Sequence, residues 1–149
     1  MLSHGGGALP FIIGRLDWGH KCRPDLVAVD TPGKRPRDAL KRMYVDSITH
    51  DDNALEFLVE NMGADRVMLG SDYPFPLGEV PSVAPVTGEV LTAFPGELIQ
   101  EHPTLPAATK ATLLSATALE WLGLDAAEVA ASFGVGVGAA APPAPPVVA

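Results

Sequence analysis

A single cysteine, Cys22, occurs among the 149 residues, so no disulfide can form within the chain. No apolar run approaches the ~18 residues that a membrane span needs, and no signal peptide is visible; the expectation is a soluble, cytoplasmic protein without membrane contact. Basic residues are scarce. Ten Lys and Arg stand against eighteen Asp and Glu, for a formal charge of −8 and a pI near 4.8, which argues against nucleic acid or an acidic membrane surface as partner. Eight of the ten fall between Arg15 and Arg42. That region is either a solvated basic face or a place to receive an anionic small molecule. A Gly-x-Ser-x-Gly nucleophile elbow and internal repeats are missing as well.

The most informative stretch runs from Val67 to Pro76 (Val-Met-Leu-Gly-Ser-Asp-Tyr-Pro-Phe-Pro). Val67 to Leu69 reads as a short buried strand, and Asp72 falls just past its carboxyl end, where parallel sheets and barrels place ligands. Pro74 and Pro76 disfavour the α region for Tyr73 and Phe75, which predicts an extended, stiff loop after the carboxylate. The competing reading makes Asp72 an N-cap or Asx-turn residue.

The chain opens as Met-Leu-Ser-His-Gly-Gly-Gly, which reads as the end of a strand followed by a flexible turn carrying His4. His-Gly-Gly-Gly is also the oxyanion loop of esterases, but that chemistry requires the absent elbow. Ala8 to Cys22 reads as a helix. On such a helix Arg15 and Arg23, eight residues apart, project from one face, and paired guanidinium groups suit carboxylate recognition. Prolines at 24, 32 and 36 mark a loop, with Pro36 opening a short helix to about Lys41.

Met43 to Ile48 reads as a second strand. Asp51-Asp52-Asn53 caps a helix with the apolar stripe Leu55, Leu58, Val59, Met62, ended by Gly63. Strand, capped helix and strand make a βαβ unit, hence a parallel α/β sheet. Residues 80–94 read as a loop or insertion, and a last helix spans about Pro106 to Trp121. From Ala130 the composition collapses to Ala, Gly, Val and Pro. The expected organisation is a folded domain over 1–124 and a disordered tail over 125–149.

Four segments together carry a resemblance: His-Gly-Gly-Gly-Ala-Leu-Pro at 4–10, Arg23-Pro24-Asp25-Leu26, Gly-Ser-Asp-Tyr-Pro-Phe-Pro-Leu-Gly-Glu at 70–79, and Ala-Leu-Glu-Trp-Leu-Gly-Leu at 118–124. In this order they resemble the C-terminal part of the aminocarboxymuconate semialdehyde decarboxylase family, metal-dependent carboxy-lyases of the amidohydrolase superfamily. The resemblance implies a (β/α)8 TIM barrel of about 250 residues or more, of which this chain matches roughly strands six to eight. It implies that His4 is the acid/base beside a metal-activated water and that Asp72 is a metal ligand. It further implies that Arg15, with Arg23 as second candidate, holds a substrate carboxylate from a neighbouring subunit of a homodimer, and that Phe75 lines the pocket.

Zn2+ or another divalent ion is the implied cofactor. The implied reaction is decarboxylation of 2-amino-3-carboxymuconate 6-semialdehyde in tryptophan breakdown by the kynurenine route. A related hydrolase or aromatic-acid decarboxylase, and a non-catalytic fragment acting as dimer partner, are the alternatives. Two departures from the pattern are the stretch 81–94, which reads as an insertion, and Thr117, which replaces an asparagine. A larger one is the absence of the family's His-x-His pair and middle-strand histidine, since His4, His20, His50 and His102 are the only histidines. One carboxylate does not bind zinc in place of three or four ligands, and three strands do not close a barrel.

Overall fold

The computed structural model describes residues 1–31, 33–84, 86–91 and 94–134. At its centre lies a short parallel sheet. Strand β1 (Val45–Asp46) pairs with β2 (Val67–Met68) in the register Val45↔Val67 and Asp46↔Met68. Leu2 bridges to Val45 in the same parallel sense, its N–H donating to Tyr44 O at 2.8 Å. Three chain segments therefore run side by side with β1 in the middle. The expected strand over 43–48 contracts to its two central residues.

The βαβ unit forms as the sequence predicts. Helix α4 (Asp52–Met62) follows β1, with the Asp51 carboxylate accepting from Ala54 N at 2.8 Å, and it ends at Gly63, whose φ of 95° suits glycine. Leu55, Leu58 and Met62 face inward, joining Ile13, Leu40, Val45, Val67, Ile99 and Leu113 in one apolar cluster. Ile13 comes from α1 (Leu9–Cys22), where Pro10 occupies the first turn. A four-residue helix, α2 (Pro24–Val27), lies within the expected proline loop, and α3 (Pro36–Leu40) follows. Arg37 braces α3 on α1, donating from its backbone N and its Nε to the Asp17 carboxylate, both at 3.0 Å.

The stretch 80–94 differs from the loop expected of it. Its described part contains an antiparallel pair, β3 (Ser82–Val83) and β4 (Val90–Leu91). Helix α5 (Glu97–Glu101) then buries Ile99. The last long helix is broken internally: α6 (Ala107–Ala111) passes through a π turn over Thr112–Ala116 into α7 (Thr117–Leu122), ended by left-handed Gly123. The Leu113 carbonyl in the π turn accepts from Leu69 N at 2.8 Å. Thr117, 1% exposed, donates its hydroxyl to Ala64 O at 3.0 Å. Both bonds fasten this helix to the chain around β2.

The tail expected over 125–149 begins instead with a helix, α8 (Ala126–Ser132), because the Asp125 carboxylate caps it by accepting from Ala127 N and Glu128 N. The rest of the expected tail, from residue 135, lies outside the described residues. Among the described residues no helix is long and apolar enough to cross a membrane.

Leu113 is fully buried, so Leu113→Ala is expected to cost about 2–5 kcal/mol in chemical denaturation, against about 1 kcal/mol for Asp51→Ala. Equal costs would show that the cluster around Leu113 does not dominate stability.

Candidate active site

His4 and Asp72 follow the two outer segments of the sheet, and they meet above the middle one. His4 Nε2 lies 3.2 Å from Asp72 Oδ1, with the aspartate side chain 18% exposed and the histidine side chain 61%. A pair this open to water adds little to stability. What it does is set an imidazole nitrogen against a carboxylate at the carboxyl end of a parallel sheet.

Both residues hold left-handed backbone, with φ of 55° at His4 and 54° at Asp72, which is uncommon outside glycine. At His4 the cause lies in β1. The Asp46 carboxylate, 7% exposed, accepts from His4 N at 2.9 Å on Oδ2, and from Gly5 N at 2.8 Å and Ile48 N at 3.2 Å on Oδ1. Gly5 also turns at φ 60°, and a Cβ there would come within 3.0 Å of Thr49 Cγ2. Across the sheet, a Cβ on Gly70 would lie 2.6 Å from Asp46 Cβ, so glycine is what lets the carboxylate reach its donors.

The loop after Asp72 is tightly turned rather than extended. Phe75 N donates to Asp72 O, Gly78 N to Phe75 O and Glu79 N to Ser71 O, each at 2.9 Å, and the Tyr73–Pro74 peptide is cis. Local backbone bonds override the extended preference that the prolines suggest. Phe75 stands 61% exposed on this loop.

The arginines do not share a helix face as the spacing predicts. Arg15 is exposed within α1, whereas Arg23 caps the helix end with φ −137° and grips Asp25 through Nε at 2.9 Å and Nη2 at 2.6 Å. That contact raises the Arg23 pKa and lowers the Asp25 pKa. Arg35 and Arg37 are similarly committed to Asp38 and Asp17. Three of the eight basic residues of this region are thus paired with carboxylates, while Arg15 makes no ion pair among the described residues.

A cleft of about 360 Å3 opens beside His4, walled by Pro10, Phe11, Thr49, Phe57 and Leu58. Neither Phe75 nor the two arginines belong to its wall. A second hollow, about 250 Å3, lies between His50, Glu79, Glu97 and Leu98. Burial pushes the Glu79 carboxyl above its ordinary value, while the Gly96 N–H, donating at 2.7 Å, pulls it back in part. Asp46, Gly70 and Glu79 escape a reading of the sequence alone. The visible signal for Asp46 is a carboxylate inside an otherwise apolar strand.

The chemistry of the donor set tests the implied metal. Asp72 fits as one ligand, because its second oxygen has no protein partner among the described residues. No group of three His, Cys, Asp or Glu among the described residues could hold an ion. The described residues therefore bring together fewer ligands than the three or four of a zinc site.

A histidine and an aspartate at strand ends over a parallel sheet stand where α/β folds and barrels place their active sites. The chain belongs to the amidohydrolase family, whose profile matches residues 1–124. It is similar to 2-amino-3-carboxymuconate-6-semialdehyde decarboxylase of Dictyostelium discoideum, 46% identical over 123 residues, covering 83% of this chain and 30% of that protein. To the protein of the same name in Caenorhabditis elegans it is 37% identical over 126 residues, covering 83% of this chain and 27% of that one. The chain thus spans less than a third of the length of these curated relatives.

Among solved structures, 5-carboxyvanillate decarboxylase of Sphingomonas paucimobilis shares the fold with a TM-score of 0.63 at 23% identity, over 83% of this chain and 33% of that one. The corresponding Novosphingobium aromaticivorans enzyme, solved with bound manganese as the D314N mutant, gives 0.58 at 24% identity, over 82% and 32%.

Because the Glu79 carboxyl is held high, its contribution to stability is complete below the ordinary value of 4.5 and is lost as pH rises through the raised one. Glu79→Gln keeps an acceptor for Gly96 and removes the titration. It is expected to flatten the fall of the thermal midpoint above pH 4.5. A slope identical to that of the parent protein would refute this account of the carboxyl.

Proposed function

We propose that this chain supplies the acid–base residue and one metal ligand of a metal-dependent carboxy-lyase acting on 2-amino-3-carboxymuconate 6-semialdehyde, in tryptophan catabolism by the kynurenine route. It would correspond to the last part of a (β/α)8 barrel, roughly strands six to eight. The observation that carries the reading is the 3.2 Å approach of His4 Nε2 to Asp72 Oδ1 at the carboxyl end of the sheet. The relatives' names supply the substrate.

In this reading Asp72 Oδ1 orients the imidazole and balances its charge when protonated, while its other oxygen is offered to the ion. A divalent ion, zinc or another such as manganese, would supply Lewis acidity and make a water acidic near neutral pH. His4 Nε2 takes the proton released at the reacting centre and returns it at the carbon that loses CO2. Arg15, unpaired among the described residues, receives a substrate carboxylate in a neighbouring subunit of a homodimer. Arg23 can do so only by releasing Asp25, which makes it the weaker candidate. Phe75 presents an exposed ring for the pocket wall once the remaining barrel is in place.

The test uses the polypeptide together with the rest of the barrel, as one longer product or as a second chain, assayed for CO2 release and metal content. His4→Ala is expected to keep the metal and lose at least about a hundredfold in turnover. Asp72→Ala is expected to lose metal and activity together. Full turnover in either variant would refute the role given to that residue. Arg15→Ala is expected to raise KM about tenfold or more, the loss of a charged hydrogen bond; an unchanged KM would remove Arg15 from the substrate site.

A further inference from the structure

We infer that Asp46 is a positioning residue for His4: its carboxylate acts through the backbone to bring the imidazole to Asp72. The geometric part stands without any assumption about the reaction, whereas its effect on turnover rests on the proposed acid–base use of His4. Asp46 sits on the middle strand, between the two segments that end in the functional pair. It makes no ion pair among the described residues. Its charge is instead met by three backbone N–H groups, those of His4, Gly5 and Ile48, at 2.9, 2.8 and 3.2 Å.

Two of these donors belong to left-handed residues, His4 and Gly5. Such backbone costs of order 1–3 kcal/mol at a non-glycine residue and persists only where neighbours over-determine it. A carboxylate that accepts from consecutive N–H groups imposes that turn, because both groups must point at one place. The turn in turn directs the His4 side chain across the sheet. The third donor, Ile48 N, fixes the carboxylate relative to its own strand, so it cannot follow the loop if the loop moves. Gly70 completes the arrangement by leaving room for Asp46.

An amide cannot accept at both of its ends, so Asp46→Asn leaves at least one of the three donors without its acceptor. Gly70→Ala perturbs the same clamp from the other side, placing a Cβ 2.6 Å from Asp46 Cβ and 3.4 Å from its Oδ2 while leaving Asp46, His4 and Asp72 themselves unchanged.

The experiment reads two quantities in the full chain and in its completed barrel. The first is the nuclear Overhauser contact between the His4 ring protons and the Asp72 β-protons; the second is the split between kcat and KM. Both variants are expected to lose the contact and, where decarboxylation is measurable, to lower kcat about tenfold to a hundredfold with KM within about twofold. Arg37→Gln, which breaks the brace to Asp17 far from the clamp, is expected to leave both unchanged.

Retention of the contact in folded Asp46→Asn and Gly70→Ala would overturn the inference. If Asp46→Asn fails to fold, Gly70→Ala decides with Asp46→Glu, which keeps the charge but moves it. Loss of the contact in the variants of a parent protein that keeps it but proves unable to decarboxylate would uphold the clamp and overturn the proposed function. Decarboxylation with the contact intact in the variants would do the reverse.

Discussion

A buried carboxylate is costly unless hydrogen-bond donors replace the water it has lost, and Asp46 finds all three of its donors in the backbone. This one group links the first segment of the chain, the middle strand and the loop leading into α4. Because Asp46 pairs in register with Met68, the clamp is also referenced to the strand that leads to Asp72. The short sheet therefore behaves as a ruler: two residue pairs between β1 and β2, with the Leu2–Val45 bridge, set the relative height of Asp72 and His4.

The same sheet falls short of a barrel, with three parallel segments among the described residues. Among the described residues no further strand pairs with either outer segment, and a barrel closes only with a full complement of strands. On α1 and just beyond it, Phe11 is 80% exposed and Trp18, Leu26 and Val29 are each more than 60% exposed. Apolar surface of this extent calls for cover. The curated relatives are more than three times as long as the matched region, so the material that would close the sheet has a counterpart in the family.

What the sequence made legible was local. Asp51 and Gly63 bracket α4 because capping and left-handed stops act within a few residues. Val67-Met68 reads as a strand from its own composition. His4 and Asp72 stand out because each follows an apolar run and enters a turn. The hidden features depend on partners far along the chain. Asp46 gains its meaning only when the backbone of His4, 42 residues earlier, arrives beside it. The π turn at Thr112–Ala116 exists where a strand N–H from Leu69 competes for the Leu113 carbonyl, a contest that no helical pattern encodes. Arg23 fails as a helix-face residue for a similar reason: Pro24 and Asp25 beside it end the helix and take its guanidinium. The hairpin at 82–91 consists of two-residue strands, too short for alternation to show.

Backbone strain points to the functional face independently of any family likeness. Among the described residues three non-glycine side chains have positive φ: His4 at 55°, His50 at 54° and Asp72 at 54°. Each follows one of the three parallel segments, and all three lie on the carboxyl side. Two are histidines and one is an aspartate, side chains suited to proton transfer and metal ligation. A structure selected for stability alone would place glycine or asparagine at such turns. The strained residues are held by Asp46 on one side and by the bonds of the Ser71–Glu79 loop on the other, while the His4–Asp72 contact itself is too exposed to repay the cost. Their contribution to folding does not explain the arrangement, and strain held at the rim of a sheet marks a candidate functional face.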